Sequence, residues 1–251
     1  MGCNKKCVRA ACLCVFGFLG LNSANLHASV ITSGCANVDV ACTLDELAGG
    51  ASIQVNDVTF DSWSVADFSN NPIDLTSMDV VPLDDQSSNV GLAFDANGVL
   101  STAGFELIDL TIAFAVTTST GAQQISGVSF ELTDFAFGAA NFGGVISGFE
   151  DISDPGSGPI GAAFVEADNQ PPAVFDLFDS TAFAPTSTLT IEKLILISGD
   201  ATGDTVTLNR FEQRFQFATV PAPVPLMLLF GGVLGLAWSR RTSGYRLENQ
   251  R

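Results

Sequence analysis

Apolar residues recur at every second position over most of the chain, the period of half-buried β-strands. Residues 105–117 are the clearest case. Ile108, Leu110, Ile112, Phe114 and Val116 share one face, with Asp109 and Thr111 opposite. Residues 52–60 alternate as Ile53, Val55 and Asp57 against Gln54, Asn56 and Val58. Residues 186–197 alternate and are rich in β-branched side chains. Residues 125–137 put Val128, Phe130 and Leu132 on one face, then change phase to Phe135 and Phe137. That change predicts a bulge near Thr133-Asp134. Residues 205–217 change phase in the same way, from Val206 and Leu208 to Phe211, Phe215 and Phe217. Residues 90–95 and 99–102 flank Ala96-Asn97-Gly98, and Asn-Gly between apolar runs predicts a hairpin.

One helix interrupts this pattern. After an extended lead-in over residues 30–40 comes Thr43-Leu44-Asp45-Glu46-Leu47-Ala48-Gly49, which carries a capping box. Thr43 accepts from the amide three residues on, Glu46 reaches back, and Gly49 closes the helix in the left-handed conformation. Asn70-Asn71-Pro72, residues 151–159 and Asn169-Gln170-Pro171-Pro172 read as loops. Regular strands, turn-rich punctuation and almost no helix predict an all-β body over residues 29–219. The expected form is an antiparallel β-sandwich or jelly roll with one short N-terminal helix.

The two ends follow different rules. Lys5, Lys6 and Arg9 precede an apolar run over residues 10–21, then a small, polar stretch ending at Ala28. Residues 1–28 therefore read as a secretory signal peptide cut near Ala28-Ser29. That cut removes Cys3, Cys7, Cys12, Cys14 and the one histidine, His27. Cys35 and Cys42 remain, and an isolated pair in an oxidising compartment predicts a disulfide. At the other end, residues 226–238 are apolar and Arg240 and Arg241 follow. Thirteen residues make about 20 Å of helix, a marginal span for a hydrocarbon core of roughly 30 Å. The arginines place this end on the cytoplasmic side.

Charge sharpens the division. Of 27 acidic residues only Glu248 lies beyond Val220, and Lys193, Arg210 and Arg214 are the cations of the body. The body is thus more acidic than the whole-chain net charge of −17. It repels nucleic acid and anionic lipid. Twenty Phe and many aliphatics supply a core that argues against disorder.

Candidate chemistry is sparse. Without histidine, and with Tyr245 in the tail, residues 29–219 lack the Ser-His-Asp and Cys-His systems and histidine metal ligands. Lys193 sits mid-strand, where a cross-strand or surface role is expected. Asp84-Asp85 and Glu150-Asp151 are read as solvated loop pairs rather than hydrolase carboxylates. No enzymatic activity is expected. Acidic loops supply hard oxygen ligands for calcium, at no single position. Asp95-Ala96-Asn97-Gly98 with Glu106 imitates a calcium loop, but its glycine is misplaced and the hairpin takes precedence. Asp200-Ala201-Thr202-Gly203-Asp204 and Asp151-Ile152-Ser153-Asp154 are turns first. Trp63 reads as a core or rim residue; exposed beside a concave face, it would serve a sugar instead. No other cofactor is implied.

The C-terminal arrangement resembles the PEP-CTERM sorting signal of exopolysaccharide-producing Gram-negative bacteria. Val220-Pro221-Ala222-Pro223 stands for the motif, residues 228–237 for the Leu/Gly-rich segment and Arg240-Arg241 for the basic cluster. Ala222 replaces the family's glutamate, and the tail to Arg251 is longer than usual. Weaker likeness to cargo proteins of that system lies in Leu44-Asp45-Glu46-Leu47, residues 187–193 and Phe211-Glu212-Gln213-Arg214-Phe215. The resemblance implies recognition of residues 220–251 by an exosortase at the inner membrane, cleavage near the motif, and a final place at the cell surface or outside. It implies a link with the biofilm matrix and does not imply an activity; the expected role is structural, with exopolysaccharide as a partner. A secreted carbohydrate- or calcium-binding module is the alternative.

Overall fold

The computed structural model describes residues 29–84, 89–119, 123–138 and 143–219. The proposed signal peptide, Val220-Pro221-Ala222-Pro223, Arg240 and Arg241 lie outside them. In chain order the strands are β1 (Val30–Ser33), β2 (Cys42–Thr43), β3 (Ser52–Val55), β4 (Val58–Asp67), β5 (Asp79–Leu83), β6 (Gly91–Asp95), β7 (Ser101–Ala103) and β8 (Leu107–Thr118). There follow β9 (Gln123–Phe137), β10 (Val145–Asp154), β11 (Gly158–Asp168), β12 (Val174–Asp176), β13 (Phe178–Thr186), β14 (Thr188–Ser198) and β15 (Thr205–Thr219). Helix α1 (Leu44–Ala48) follows β2, and a 3-10 turn spans Leu75–Ser77.

The strands form two antiparallel sheets. One runs β1-β3-β4-β8-β14-β10-β11-β12 and the other β13-β9-β15-β6-β5-β2, with β7 also on β15. The chain repeatedly crosses between them, and their inner faces pack into one core. This is the all-β sandwich that the alternation predicts. On β8 all five inward residues named above are buried. The bulge is present where the phase changes: the β9–β15 register shifts around Leu208, Arg210 and Phe211, opposite Phe135, Asp134 and Leu132.

The capping box is complete, with Glu46 N–H on Thr43 Oγ1 at 3.3 Å and Thr43 N–H on Glu46 Oε2 at 2.8 Å. The left-handed residue that ends α1 is Gly50 (φ 105), not Gly49 (φ −74). One more residue of right-handed backbone lets the Ala51 N–H return to Glu46 O at 3.0 Å.

Two turn readings are corrected. Residues 52–60 are a hairpin, with Asn56 at φ 55 and Val55 opposite Val58. Asn56-Asp57 reverses the chain, so Val58 and Phe60 join Ile53 and Val55 in the core. Asn97-Gly98 does form a tight turn (φ 51 and 84), with Val99 N–H on Ala96 O at 3.0 Å. Its flanks do not pair with each other. Both β6 and β7 pair with β15, one after the other, so residues 96–100 loop out of a single interrupted strand line.

Strands β10 to β13 fall where the sequence pattern shows little beyond loops. Their inward positions explain this. In β10 they are Ile146, Gly148, Glu150 and Ile152, and in β11 Ala163, Val165 and Ala167. Small and charged residues dilute an apolar period of two. The loop expected over residues 151–159 shrinks to residues 155–157, with Asp154 Oδ1 accepting from Gly156 N–H at 2.7 Å.

Aromatic contacts join the sheets. Trp63 stacks on Phe114 at 4.5 Å within one sheet and Phe94 on Phe211 at 4.6 Å within the other, while Trp63–Phe94 at 6.3 Å and Phe60–Phe215 at 5.5 Å cross between them. Phe114 is 1% exposed and also meets Phe60 and Phe94 edge-on or tilted. Phe114→Ala is expected to lower the unfolding free energy by about 3–5 kcal/mol, measured by urea denaturation of the purified chain.

Candidate functional site

Alternation gives each strand an inward row, and in β10, β14 and β15 one member of that row is a glutamate, a lysine or a glutamine. Glu150 on β10 and Lys193 on β14 are register partners in one sheet. Gln213 on β15 sits beside Phe130 on β9 in the other. The two pairs meet across the interior. Lys193 and Gln213 are fully buried and Glu150 is 1% exposed. Lys193 Nζ donates to Glu150 Oε2 and to Gln213 Oε1. Gln213 Nε2 donates to Glu150 Oε1 at 3.1 Å. Nζ also lies 3.8 Å from the centroid of the Phe130 ring, within cation–π range.

Local structure makes room for this centre. A Cβ on Gly148 would come within 2.5 Å of Phe130 Cε1, so a glycine on β10 lets the ring approach the backbone. Burial pushes the Lys193 amine down from its ordinary value, against the pull of the Glu150 charge. Three groups of complementary chemistry thus share one site: a nucleophilic amine, a carboxamide and a carboxylate touching both.

The arrangement overturns two expectations. Lys193 does take the cross-strand role, opposite Glu150, but in the interior rather than at the surface, and Glu150-Asp151 is not a loop pair. Both acids are on β10, Glu150 facing in and Asp151 out. Each of Glu150, Lys193 and Gln213 occupies a position where its strand's alternation calls for an apolar side chain. Polar residues on the inward phase of three strands were the available signal.

The other predicted residues fall elsewhere. Cys35 and Cys42 are bonded, as expected, and their Cα atoms are 5.1 Å apart. The bond ties the chain just after β1, an edge of one sheet, to β2, an edge of the other. Glu46 locks the same ring, accepting from Ala36 N–H and Thr43 N–H, both at 2.8 Å. Trp63 is buried, its Nε1–H on Phe60 O at 3.3 Å, so it offers no exposed platform for a sugar. Among the described residues no cluster of three or more His, Cys, Asp or Glu is placed to hold a metal. Asp95 pairs with Arg210 at 3.1 Å, and Glu212 bridges Arg210 and Arg214 at 3.1 and 2.9 Å.

An aromatic site does lie on an outer face, away from Trp63. Phe149 is 45% exposed and packs on Phe164 at 4.6 Å. A shallow pocket of about 270 Å³ beside it is lined by Thr111, Phe149, Asp151, Glu192 and Leu194. Asp151 and Glu192 are opposite each other in register, and like charges so placed cost stability. The sequence marks Phe149 only as one Phe among twenty.

No protein-family model and no curated protein matches this chain. Solved structures that resemble it are of low identity. The carbohydrate-binding module TmCBM61, in complex with beta-1,4-galactotriose, is 15% identical with a TM-score of 0.29, covering 63% of this chain and 89% of that one. The mannan-recognising module TmCBM27 is 9% identical with a TM-score of 0.28, over the same shares. The arabinose-bound arabinofuranosidase MgGH51 is 13% identical with a TM-score of 0.24, covering 63% of this chain and 23% of that one. At these scores none of the three carries a ligand or an activity over to this chain.

The Glu46 clasp gives a pH signature. Hydrogen bonds from the Thr43 and Ala36 backbone hold its carboxyl below the ordinary glutamate value. A depressed folded value means the stabilisation is full above the unfolded value and is lost as pH falls through the folded one. Thermal melts should therefore separate wild type from Glu46→Gln most at neutral pH, and the gap should close in acid.

Proposed function

We propose that this chain is an exported structural protein of the cell surface or extracellular matrix, made as a precursor and released from its C-terminal signal by an exosortase. One observation carries the reading. Strand pairing extends to Thr219, which is opposite Gln123, and the Val220-Pro221-Ala222-Pro223 stretch begins at the next residue. All fifteen described strands lie before residue 220. A cut near Ala28-Ser29 likewise spares β1, which begins at Val30. The disulfide suits an oxidising compartment, and the acidic body resists association by self-repulsion.

Intact-mass measurement of the protein from its own host tests this. The expected mature chain lacks residues 1–28 and the segment after the motif. Retention of residues 226–251 in the mature protein overturns the sorting reading.

Exposed Phe149, packed on half-buried Phe164, favours a second reading, contact with a neutral polysaccharide. A phenyl face receives the C–H face of a sugar ring, and Asp151, Glu192 and the Thr111 hydroxyl accept from sugar hydroxyls. Affinity electrophoresis through gels containing the host's exopolysaccharide should retard the wild type. Phe149→Ala should weaken the retardation roughly tenfold, the loss of about 1.4 kcal/mol. Equal mobility of the two proteins in that gel overturns this reading.

A further inference from the structure

We propose that Lys193 and Gln213 become joined by an amide bond inside the folded sandwich, with Glu150 moving the proton. The bond would run between β14 in one sheet and β15 in the other, fastening the two layers covalently.

Geometry carries the proposal. The Lys193 amine touches Gln213 Oε1, one bond away from the Cδ it would attack. The two oxygens of Glu150 divide their work: Oε2 meets Nζ, the nucleophile, and Oε1 meets Nε2, the leaving group, at 3.1 Å. One carboxyl therefore spans the atom that must lose a proton and the atom that must gain one. All three residues are buried, and the Phe130 ring covers Nζ at 3.8 Å.

The atoms balance without a co-reactant. The Lys193–Glu150 pair has zero net charge as ammonium and carboxylate or as amine and carboxylic acid. Moving one proton from Nζ to Oε2 along their hydrogen bond gives the second form, which frees the lone pair of Nζ. Nζ attacks Cδ, and the Nζ–Cδ bond forms. Glu150 gives its proton to Nε2 and takes one from Nζ. The Cδ–Nε2 bond breaks and Nε2 leaves as ammonia. Glu150 ends as it began, no electron is transferred to an outside group, and the products are an amide and ammonia.

Two physical arguments favour completion. Groups held in contact react with effective molarities on the order of 10⁵–10⁸ M. The starting pair is also a poor resting state, because desolvation of a buried ion pair offsets much of its attraction. The product replaces the amine with a neutral amide, and ammonia is lost to bulk solvent.

The test is the mass of the full chain as purified, denatured and with the disulfide reduced. The expected deficit, after any terminal processing is assigned, is one ammonia. Trypsin should fail to cut after Lys193. The peptide running on to Arg210 should carry the tetrapeptide Phe211-Glu212-Gln213-Arg214 as a branch. Lys193→Arg should show the full mass, and folded Glu150→Gln should show full mass or a slowed loss. The wild type decides the matter even where a variant fails to fold. A full wild-type mass with ordinary cleavage after Lys193 overturns the proposal. So does a water deficit mapping to Lys193 and Glu150, or an ammonia deficit without the branch. None of these outcomes depends on whether residues 220–251 are retained, so the sorting reading stands or falls separately.

Discussion

Two sheets share a single dry layer, and everything else in the molecule is arranged around keeping it dry. Apolar surface removed from water contributes about 25 cal/mol per Å², and here the large contributors are rings. Phe60, Trp63, Phe94, Phe114, Phe211 and Phe215 are drawn from both sheets and touch in a connected chain. Rings of this size demand exact neighbours in volume, which is why Gly148 lies beneath Phe130. The edges need separate closure. The Cys35–Cys42 bond, the Glu46 carboxylate and the short helix α1 supply it at one end, with Leu44 and Leu47 fully buried beneath the cap.

Against that apolar layer, the disposition of charge is economical. Acidic side chains cover the outside, where water screens their mutual repulsion. The three cations of the body are each held by carboxylates: Lys193 by Glu150, Arg210 by Asp95 and Glu212, and Arg214 by Glu212. Only the first of these contacts is in the interior. A lone ammonium between phenyl rings would be costly, but its direct partner and the Gln213 carboxamide use its donors. The same arrangement that makes the pair tolerable also aligns an amine, an amide and a proton carrier.

Legibility in the sequence followed side-chain size. Strands β8, β14 and β15 have large apolar residues on one phase and were readable, as was the bulge shared by β9 and β15. Strands β10 and β11 were not, because glycine, alanine and glutamate occupy inward positions there. Turn chemistry was legible only locally. Asn97-Gly98 makes its tight turn, yet instead of pairing with each other both flanking strands pair with β15, more than a hundred residues away. No local signal encodes that choice. Trp63 reads as a core or rim residue, and tertiary structure settles it in the core: the positive φ of Ser62 (56°) accompanies a register break beside the buried indole.

By itself the sequence determined the class of fold, the capped helix, the pairing of the two body cysteines and the separation of an acidic body from basic ends. These rest on period, neighbouring residues and counts, all of which are properties of the chain before it folds. Only tertiary structure decided that Glu150 faces Lys193, that Gln213 reaches them from the other sheet, and that Phe149 meets Phe164 on an outer face. The reason is distance along the chain. Lys193 is 43 residues from Glu150 and 20 from Gln213. Strand order and register, set by burial over the whole sandwich, are what bring such residues within bonding range.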